Sequence, residues 1–467
     1  MARGYLGSRG LINSGALIRG REIESMVEKI CPVRVLVVGA GDRGENYSRS
    51  LRHLDYVAVT GIADPRVVRR RKIKQKCVND WFPSYLASED HVKEYGDWTE
   101  ALGDADEYDC VLVCVLDQLH RDVAVAFADK GKHILCEKPL ATSLEHCQDI
   151  YNAIKRNNVL LAVGHVLRYS PHNLALKKML DDGAVGDIIN INHTEPVGWY
   201  HFAHSFVRGN WHKEETTTFA LMAKCCHDID LLMWFLGSEG LQAVSSFGSL
   251  SYFKRQNKPA EAKDALRCTD CAYERKCPYS AKRMYLDPLV AGEKTWKIDT
   301  LTDVEDADHV LAALEKGPYG QCVYECDNDV CDNQVVSLNF GNKTATMTMI
   351  STSKEMCERK ICIYGSTGEI MTDSTTIEHF DYLTQKTTRI VPPSDPESNH
   401  GGGDRGLATA FAEAVRNVLE GKQVDSCQRQ YICCTPEEML ASHRAVFFAE
   451  QARKENRVVN LKTPSTA

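Results

Sequence analysis

Residues 33–44, VRVLVVGAGDRG, decide how the first part of this chain folds. Their apolar, β-branched first half predicts a buried strand that runs directly into a glycine-rich turn and a helix. Gly39, Gly41 and Gly44 have the spacing G-x-G-x-x-G, and Asp64 follows at the end of a second predicted strand. Glycines at this spacing let the backbone approach a pyrophosphate at the helix N-terminus, and the carboxylate accepts hydrogen bonds from the adenosine ribose. The stretch therefore predicts a Rossmann dinucleotide-binding fold.

The acidic residue at the end of the second strand indicates which dinucleotide binds. Asp64 favours NAD, because a fixed carboxylate repels the additional phosphate of NADP. Arg66 leaves NADP open, since a basic neighbour can accommodate that phosphate. Within the turn, Asp42 and Arg43 are further candidate cofactor contacts, and for Arg43 an exposed position at the start of the helix fits equally well.

The pattern of apolar residues divides the chain into an N-terminal extension (residues 1–32), a dinucleotide-binding domain (33–165) and a substrate and oligomerisation domain (166–460). Alternating strands and helices in the second part predict a doubly wound parallel sheet. In the third part apolar and polar residues alternate, which predicts a large, mostly antiparallel sheet. Clear examples of this alternation occur at 188–193, 334–340 and 344–350. The predicted fold class is therefore α/β with two different sheets.

The composition of the 467 residues excludes some classes of function. A formal net charge of -8 argues against a nucleic-acid partner, because such binding needs concentrated positive charge. No apolar run approaches the roughly 20 residues that cross a bilayer. The 19 cysteines, without a secretory segment, favour reduced thiols in the cytoplasm. Residues 1–21 contain four arginines and no acid, the composition of a mitochondrial presequence, although a basic disordered extension is the plainer interpretation.

Several blocks of sequence after the glycine turn point to one protein family. The block GKHILCEKPL at residues 131–140 carries the tripeptide E-K-P, and CCHDIDLLMWFLG at 225–237 carries H-D-I-D. Four other blocks accompany them: VLDQLH at 115–120, GHVLRYSP at 164–171, GAVGDI at 183–188 and YGSTGEI at 364–370. With these blocks in this order, the chain resembles the Gfo/Idh/MocA oxidoreductase family from about residue 33 to residue 460.

The resemblance implies an NAD(P)-dependent oxidoreductase whose second domain forms the substrate pocket and often an oligomer interface. It places the lysine of E-K-P, Lys138, beside the nicotinamide as the acid/base residue, and His227 of H-D-I-D across the substrate carbinol. It also makes Glu137 and His120 candidate cofactor contacts. An acid/base residue is needed because a hydride leaves a carbinol carbon only as the hydroxyl proton departs.

The substrate that the resemblance implies is a sugar, a sugar acid or a cyclic polyol. The candidate residues for binding it are His165, Arg168, Tyr200, His201 and Lys224. At one position the sequence departs from the family pattern. Many relatives carry an aspartate four residues before the histidine of H-D-I-D, and here that residue is Ala223. We therefore expect Lys224 or the aromatic loop around Tyr200 to supply the missing polar groups.

Two other functions stay open. Some members of the family are glycosidases that oxidise a ring carbon, eliminate the aglycone and reduce the ring again. Tyr200, His201 or His204 would then be the additional acid/base residue, and Ala223 slightly favours such a divergence. The other alternative is a non-catalytic NAD(P)-binding protein. We expect a small carbohydrate-like ligand, neither nucleic acid nor membrane as a partner, and a homo-oligomer formed through the C-terminal sheet.

Cysteines cluster in a polar insertion at about residues 262–333. Cys268 and Cys271 have C-x2-C spacing, and with Cys277 and Cys322 they are candidate ligands of a structural zinc ion. A second C-x2-C pair, which the strong form of this motif needs, is absent from the sequence. Reduced, unligated thiols are therefore the alternative interpretation.

Overall fold

The computed structural model describes residues 32–461 except for 84–86, 89 and 294–295. The targeting prediction concerns residues 1–21, which lie outside the described residues. None of the helices in the described part of the chain is long and apolar enough to cross a membrane.

Six parallel strands form the first sheet, as predicted for a Rossmann domain. The strands are β1 Val33–Val38, β2 Val57–Ala63, β3 Lys93–Tyr95, β4 Cys110–Val113, β5 His133–Cys136 and β6 Leu161–Val163. Their order is β3-β2-β1-β4-β5-β6, so the direction of winding reverses between β1 and β4. In open α/β sheets ligands bind at the carboxyl ends of the strands at such a reversal. The glycine turn follows β1 at this point.

The second sheet has nine strands and is mostly antiparallel, as the alternating pattern predicts. They are β7 Ile188–Pro196, β8 Ala243–Ser249, β9 Asn333–Asn339, β10 Thr344–Ile350, β11 Lys360–Gly365, β12 Gly368–Thr372, β13 Ile377–Asp381, β14 Lys386–Ile390 and β15 Val459–Asn460. Their order is β14-β13-β12-β11-β7-β10-β9-β8-β15, and only β7 and β10 pair in parallel. The α/β fold class with two sheets is therefore confirmed.

Helices cover the first sheet and one face of the second. The helices of the first half are α1 Asp42–Leu51, α2 Val67–Lys76, α3 Trp98–Gly103, α4 His120–Asp129 and α5 Leu144–Asn157. Those of the second half are α6 Pro171–Asp181, α7 Trp199–Phe202, α8 Ala220–Leu236, α9 Asp287–Val290, α10 Ala307–Lys316, α11 Gly403–Leu419, α12 Val424–Cys427 and α13 Pro436–Glu455. The long helix α13 packs against α8 and β8, so it closes the core of the second sheet.

Helix α11 returns the chain to the Rossmann half. It packs against α1, and its apolar side chains Leu407, Phe411 and Val415 are buried in the same core as β1. Burying an aliphatic or aromatic side chain of this size stabilises a fold by roughly 1.5–3 kcal/mol. Because α11 is anchored in this way, the segment that precedes it is held against residues Val166–Tyr169, which follow β6.

The cysteine-rich insertion does not contain the predicted zinc site. Cys268, Cys271, Cys277 and Cys322 do line one small cavity. However, among the described residues no group of three or more His, Cys, Asp or Glu side chains is arranged to hold a metal ion. The buried guanidinium of Arg208 donates to Cys268 Sγ at 3.4 Å and places a positive charge where a cation would bind. Burial also raises the pKa of the Cys277 thiol to about 11, which disfavours the thiolate that zinc requires. The structural zinc prediction is therefore not supported.

The glycine turn after β1 is closely packed at two of its three glycines. Gly39 has φ +101°, and a Cβ there would lie 2.4 Å from the carbonyl oxygen of Cys114. A Cβ on Gly44 would lie 2.1 Å from the carbonyl oxygen of Gly39. At Gly41, in contrast, no atom lies within 4 Å of the Cβ position. The first and third glycines are therefore required by packing, whereas the middle one leaves open space.

We expect the substitution Gly44→Ala to destabilise the protein by about 1–3 kcal/mol, because the new methyl group overpacks backbone that cannot move away. The measurement is the urea midpoint of unfolding. The matched control is Gly103→Ala, also in a helix, where no atom lies within 4 Å of the Cβ position. That variant should unfold within about 0.5 kcal/mol of the wild type. Equal midpoints for both variants would contradict the close packing of the turn.

Candidate active site

The cleft at the glycine turn has the shape and polarity that a dinucleotide needs. The open space at Gly41 lies at the N-terminus of α1, where backbone N–H groups favour a phosphate. Asp64 is placed beside it, because its Oδ2 accepts a hydrogen bond of 2.8 Å from the backbone N–H of Ala40. Its Oδ1 accepts one of 2.8 Å from the N–H of Arg66. These residues therefore fit an NAD molecule, with the carboxylate fixed for the ribose.

Arg43 is held by two carboxylates from distant parts of the chain. Its Nε donates to Glu137 at 2.8 Å and its Nη1 donates to Asp404 at 2.9 Å. Glu137 also accepts hydrogen bonds from the Tyr47 hydroxyl, at 2.7 Å, and from the backbone N–H of Lys138, at 3.0 Å. Burial alone would raise the pKa of Glu137, but Arg43 and Lys138 hold it below its usual value. The carboxylate is therefore ionised and fixes the start of the E-K-P segment.

A cavity of about 620 Å³ opens next to this cleft and contains both predicted catalytic residues. Lys138 follows β5 and precedes a cis peptide bond to Pro139. Its Nζ donates to the carbonyl oxygen of Ala223 at 2.6 Å and lies 5.6 Å from the centre of the Trp211 ring. The Trp211 indole in turn donates to Asp117 at 2.8 Å. The lysine head group is thus fixed at the wall of the cavity.

His227 lies on α8, one helical turn after Ala223, and it lines the same cavity as Lys138. Its Nδ1 makes no hydrogen bond to any described residue. Burial, followed by the positive charge of Lys138, lowers the pKa of His227 well below its usual range. The ring is therefore neutral near pH 7 and can orient a hydroxyl group through a hydrogen bond.

The two acids of the H-D-I-D block are neutralised by different elements. Asp230 accepts two hydrogen bonds from Arg168, at 2.6 and 2.8 Å, and lies 3.1 Å from Nδ1 of His165. Asp228 accepts from His193 at 2.7 Å and from Arg359 at 3.1 Å. Arg168 and His165, which the sequence marks as substrate candidates, are thus buried behind the cavity wall, and neither lines the cavity.

Lys224 and His201, two other substrate candidates, do line the cavity. Lys224 Nζ lies 2.9 Å from Cys357 Sγ and 3.5 Å from Glu195. Arg359 Nε pairs with the same Glu195 at 2.8 Å. Burial opposes the charge on Lys224, but Cys357 and Glu195 raise its pKa above the usual value. Two cations, Lys224 and Arg359, therefore line this wall of the cavity. Both are paired with the buried carboxylate of Glu195.

Three other candidates lie outside the cavity lining. His120 is buried, with its ring nitrogens 2.7 Å from the Pro139 carbonyl and 3.1 Å from the Val115 carbonyl. Its contacts therefore support the E-K-P turn. The Tyr200 hydroxyl donates to the sulfur of Met356 at 2.8 Å. His204 is hydrogen-bonded to the Tyr285 hydroxyl at 2.9 Å, and its ring stacks on Tyr319.

Two aromatic residues of the cavity wall, Phe206 and Trp296, were not among the sequence candidates for the site. They line the cavity together with Trp211, which belongs to the aromatic loop around Tyr200. His400 also lines the cavity, and its ring centre lies 6.1 Å from that of His227. The HGGGD sequence at 400–404 predicts either a mobile loop near the pocket or a flexible surface loop before the next helix.

Comparison with known proteins identifies the family. The protein-family model described as "Oxidoreductase family, NAD-binding Rossmann fold" matches residues 33–165. The model described as "Oxidoreductase family, C-terminal alpha/beta domain" matches residues 177–428. Together the two models cover most of the chain.

Individual relatives are similar at lower identity. The oxidoreductase YteT of Bacillus subtilis is 23% identical over 76% of this chain and 81% of its own length. An inositol 2-dehydrogenase of Rhizobium meliloti is 28% identical over 46% of this chain and 58% of its own length. A 2,7-anhydro-N-acetylneuraminate hydratase of Escherichia coli is 27% identical over 43% of this chain and 49% of its own length. The chain thus spans only about half the length of the last two relatives.

A solved structure shares the fold. Levoglucosan dehydrogenase in complex with NADH and levoglucosan superposes with a TM-score of 0.64 at 16% identity, over 92% of this chain and 100% of that one. The two family models, which match the two sheet-bearing halves in order, carry the assignment. The chain belongs to the Gfo/Idh/MocA family of NAD-dependent oxidoreductases.

Proposed function

We propose that the protein is a dehydrogenase that uses NAD to oxidise a carbinol carbon of a sugar, a sugar acid or a cyclic polyol. One observation carries the proposal. Lys138 and His227 line the same cavity, which also reaches Asp42 and Arg43 at the glycine turn. The names of similar proteins, an inositol dehydrogenase and a levoglucosan dehydrogenase, support a polyhydroxylated substrate.

The residues of the cleft fit NAD, with Gly41 and the N-terminus of α1 for the pyrophosphate and Asp64 for the ribose. When bound, NAD supplies the acceptor for a hydride from the substrate. The protein's own part is to position the carbinol and to handle its proton. Lys138 is the acid/base residue at the carbinol oxygen, and neutral His227 orients the same hydroxyl through a hydrogen bond. The hydrogen bond from Lys138 to the Ala223 carbonyl fixes the ammonium group for this role.

The walls of the cavity suit a polyhydroxylated ring. Phe206, Trp211 and Trp296 offer aromatic faces, on which the apolar C–H face of a sugar packs. Lys224 and His201 add polar groups for hydroxyls, or for the carboxylate of a sugar acid. A volume of about 620 Å³ accommodates a small ring together with part of a cofactor.

The proposal is tested with a panel of aldoses, sugar acids, inositols and aryl glycosides, each incubated with the purified protein and NAD. Absorbance of reduced nicotinamide and release of the aryl aglycone are followed together. Accumulation of NADH with at least one panel compound supports a dehydrogenase. Absence of both signals, while NADH still binds, would contradict it and favour a binding protein.

A second candidate is a glycosidase that uses bound NAD transiently. Two observations favour it: Ala223 replaces the aspartate of many relatives, and one similar protein is named a hydratase of an anhydro sugar. His201, which lines the cavity beside Lys224, would be the additional acid/base residue. In the panel, this function would release the aglycone without accumulation of NADH.

We also propose that the outer face of the second sheet forms a homo-oligomer. Phe247 and Val335 pair across β8 and β9 with their side chains on that face, and they are 68% and 42% exposed. Met371 on β12 is on the same face and is 44% exposed. Sedimentation equilibrium should give a molecular mass that is a multiple of the 52.3 kDa chain mass. The substitution Phe247→Asp should lower the measured mass towards that of one chain. A monomeric wild type would contradict the oligomer.

We expect Gly41→Ala to weaken NADH binding at least about tenfold, a cost of roughly 1.4 kcal/mol, because the methyl group enters the space assigned to the pyrophosphate. Stability should not change, since no atom lies within 4 Å of the Cβ position. Fluorescence titration with NADH measures binding, and the urea midpoint measures stability. Gly103→Ala is again the control and should bind NADH as the wild type does. Unchanged affinity in Gly41→Ala would place the pyrophosphate elsewhere.

We expect Lys138→Ala to reduce turnover of the active panel compound by about 10²–10⁴-fold, because the acid/base residue is lost. NADH affinity should stay within about threefold of the wild type, a difference of less than 1 kcal/mol. The control is Lys130→Ala. Lys130 is an exposed lysine directly after the last residue of α4, in the same half of the protein. A Lys138→Ala variant that keeps full turnover would rule out the assigned role.

A further inference from the structure

A histidine–aspartate pair outside the family blocks faces the candidate active site. His400 Nδ1 lies 2.9 Å from Oδ1 of Asp404, one helical turn later in the chain. Asp404 is fully buried and its pKa is held below the usual value, mainly by Arg43 against the effect of burial. Hydrogen bonds from Arg43 and from the Asn46 amide, at 2.9 Å each, fix its carboxylate. His400, in contrast, is part exposed and lines the cavity.

The backbone at this segment turns the imidazole towards the cavity. His400 has φ +54°, a left-handed conformation that is uncommon for residues other than glycine. Gly401 and Gly402 follow with φ +62° and +107°, and α11 begins at the next residue. The strained backbone thus lies where the side chain meets the cavity, at a ring distance of 6.1 Å from His227.

His400 has a carboxylate partner on its Nδ1, which His227 lacks. An ionised carboxylate on Nδ1 selects the tautomer that carries its proton there and leaves Nε2 as the proton acceptor. His400 has this partner, and its Nε2 makes no hydrogen bond to another described residue. His227 has no carboxylate on either ring nitrogen in the described part of the chain, because Asp228 and Asp230 are engaged with other residues.

We propose that His400, oriented by Asp404, is the base that takes the substrate's hydroxyl proton. The proposal rests on the dehydrogenase function proposed above and changes one role in it. His400 accepts the proton, and Lys138 acts as a hydrogen-bond donor to the carbinol oxygen instead of as the base. The O–H bond of the carbinol breaks, and its proton binds to Nε2 of His400. The electron pair of that bond forms the second bond of the new carbonyl group, while the hydride of the same carbon leaves to NAD. Lys138 donates a hydrogen bond to the carbinol oxygen.

The proposal predicts a loss of turnover that added imidazole restores. The variant is His400→Gly, because glycine accepts the left-handed backbone at this position without strain. We expect turnover of the active panel compound to fall about 10²–10⁴-fold, with a smaller change in KM. Imidazole in the assay should then restore turnover at least about tenfold, since a free base can enter the emptied space. A residue with a merely structural role would show no such rescue.

The matched control is His309→Gly. His309 forms an equivalent pair, with Nδ1 2.8 Å from Asp306, but it lies on the exposed helix α10 and not on the cavity. This variant should keep the turnover of the wild type and should not respond to imidazole. Thermal unfolding of both variants checks that they fold. Asp404 is left unchanged, because it also holds Arg43.

A second readout does not depend on turnover. Diethyl pyrocarbonate modifies neutral imidazole, and peptide mass spectrometry measures the extent at each histidine. We expect the active panel compound, with NADH bound, to protect His400 but not His309 from modification.

The outcomes separate the two proposals. If no panel compound is turned over by the wild type, the dehydrogenase proposal fails. If the wild type is active but His400→Gly keeps its turnover, or loses it without rescue and without protection of His400, only the role of His400 is overturned.

Discussion

The geometry of the site depends on one half-buried guanidinium that pairs with two buried carboxylates. Arg43 lies in the first turn of α1, Glu137 begins the E-K-P segment and Asp404 lies in the first turn of α11. Both carboxylates pair with this one arginine. A buried charge without partners costs several kcal/mol, and removing one partner of such a pair typically costs about 3–5 kcal/mol. These three segments are therefore held together tightly. Glu137 fixes the backbone of Lys138, and Asp404 fixes the ring of His400.

The fold could be predicted largely from local sequence. β1 and β10 have the bounds that the sequence predicts, because each is a short apolar or strictly alternating run next to a turn. The edge strand β14 and its neighbour β13 were not predicted. Only the first residue of β13 is buried and none of β14, so neither strand shows a clear alternation of apolar and polar residues. The cysteine spacing led to a zinc site that is not supported. Local sequence could not show that the guanidinium of Arg208 lies beside Cys268.

The candidate site was predicted in part. Lys138 and His227 were chosen from sequence blocks, and they line one cavity. His201 and Lys224, chosen because Ala223 lacks a polar group, line the same cavity. Arg168 was chosen by the same reasoning, yet it forms a buried ion pair with Asp230. A sequence block marks a residue that is constrained but does not show whether a ligand or a buried partner constrains it. That distinction depends on contacts between distant parts of the chain, such as the pair of Arg359 with Glu195, which no local pattern contains.

The charges along α8 explain why the site needs a second histidine. Lys224, Asp228 and Asp230 surround His227 on this helix, and each is neutralised by a residue from another element. Neither acid is therefore free to orient the imidazole or to stabilise its protonated form. Burial lowers the pKa of His227 further. His227 is suited to orient a hydroxyl group but poorly suited to accept its proton. A histidine with its own buried carboxylate can accept that proton, and the segment before α11 places one at the same cavity.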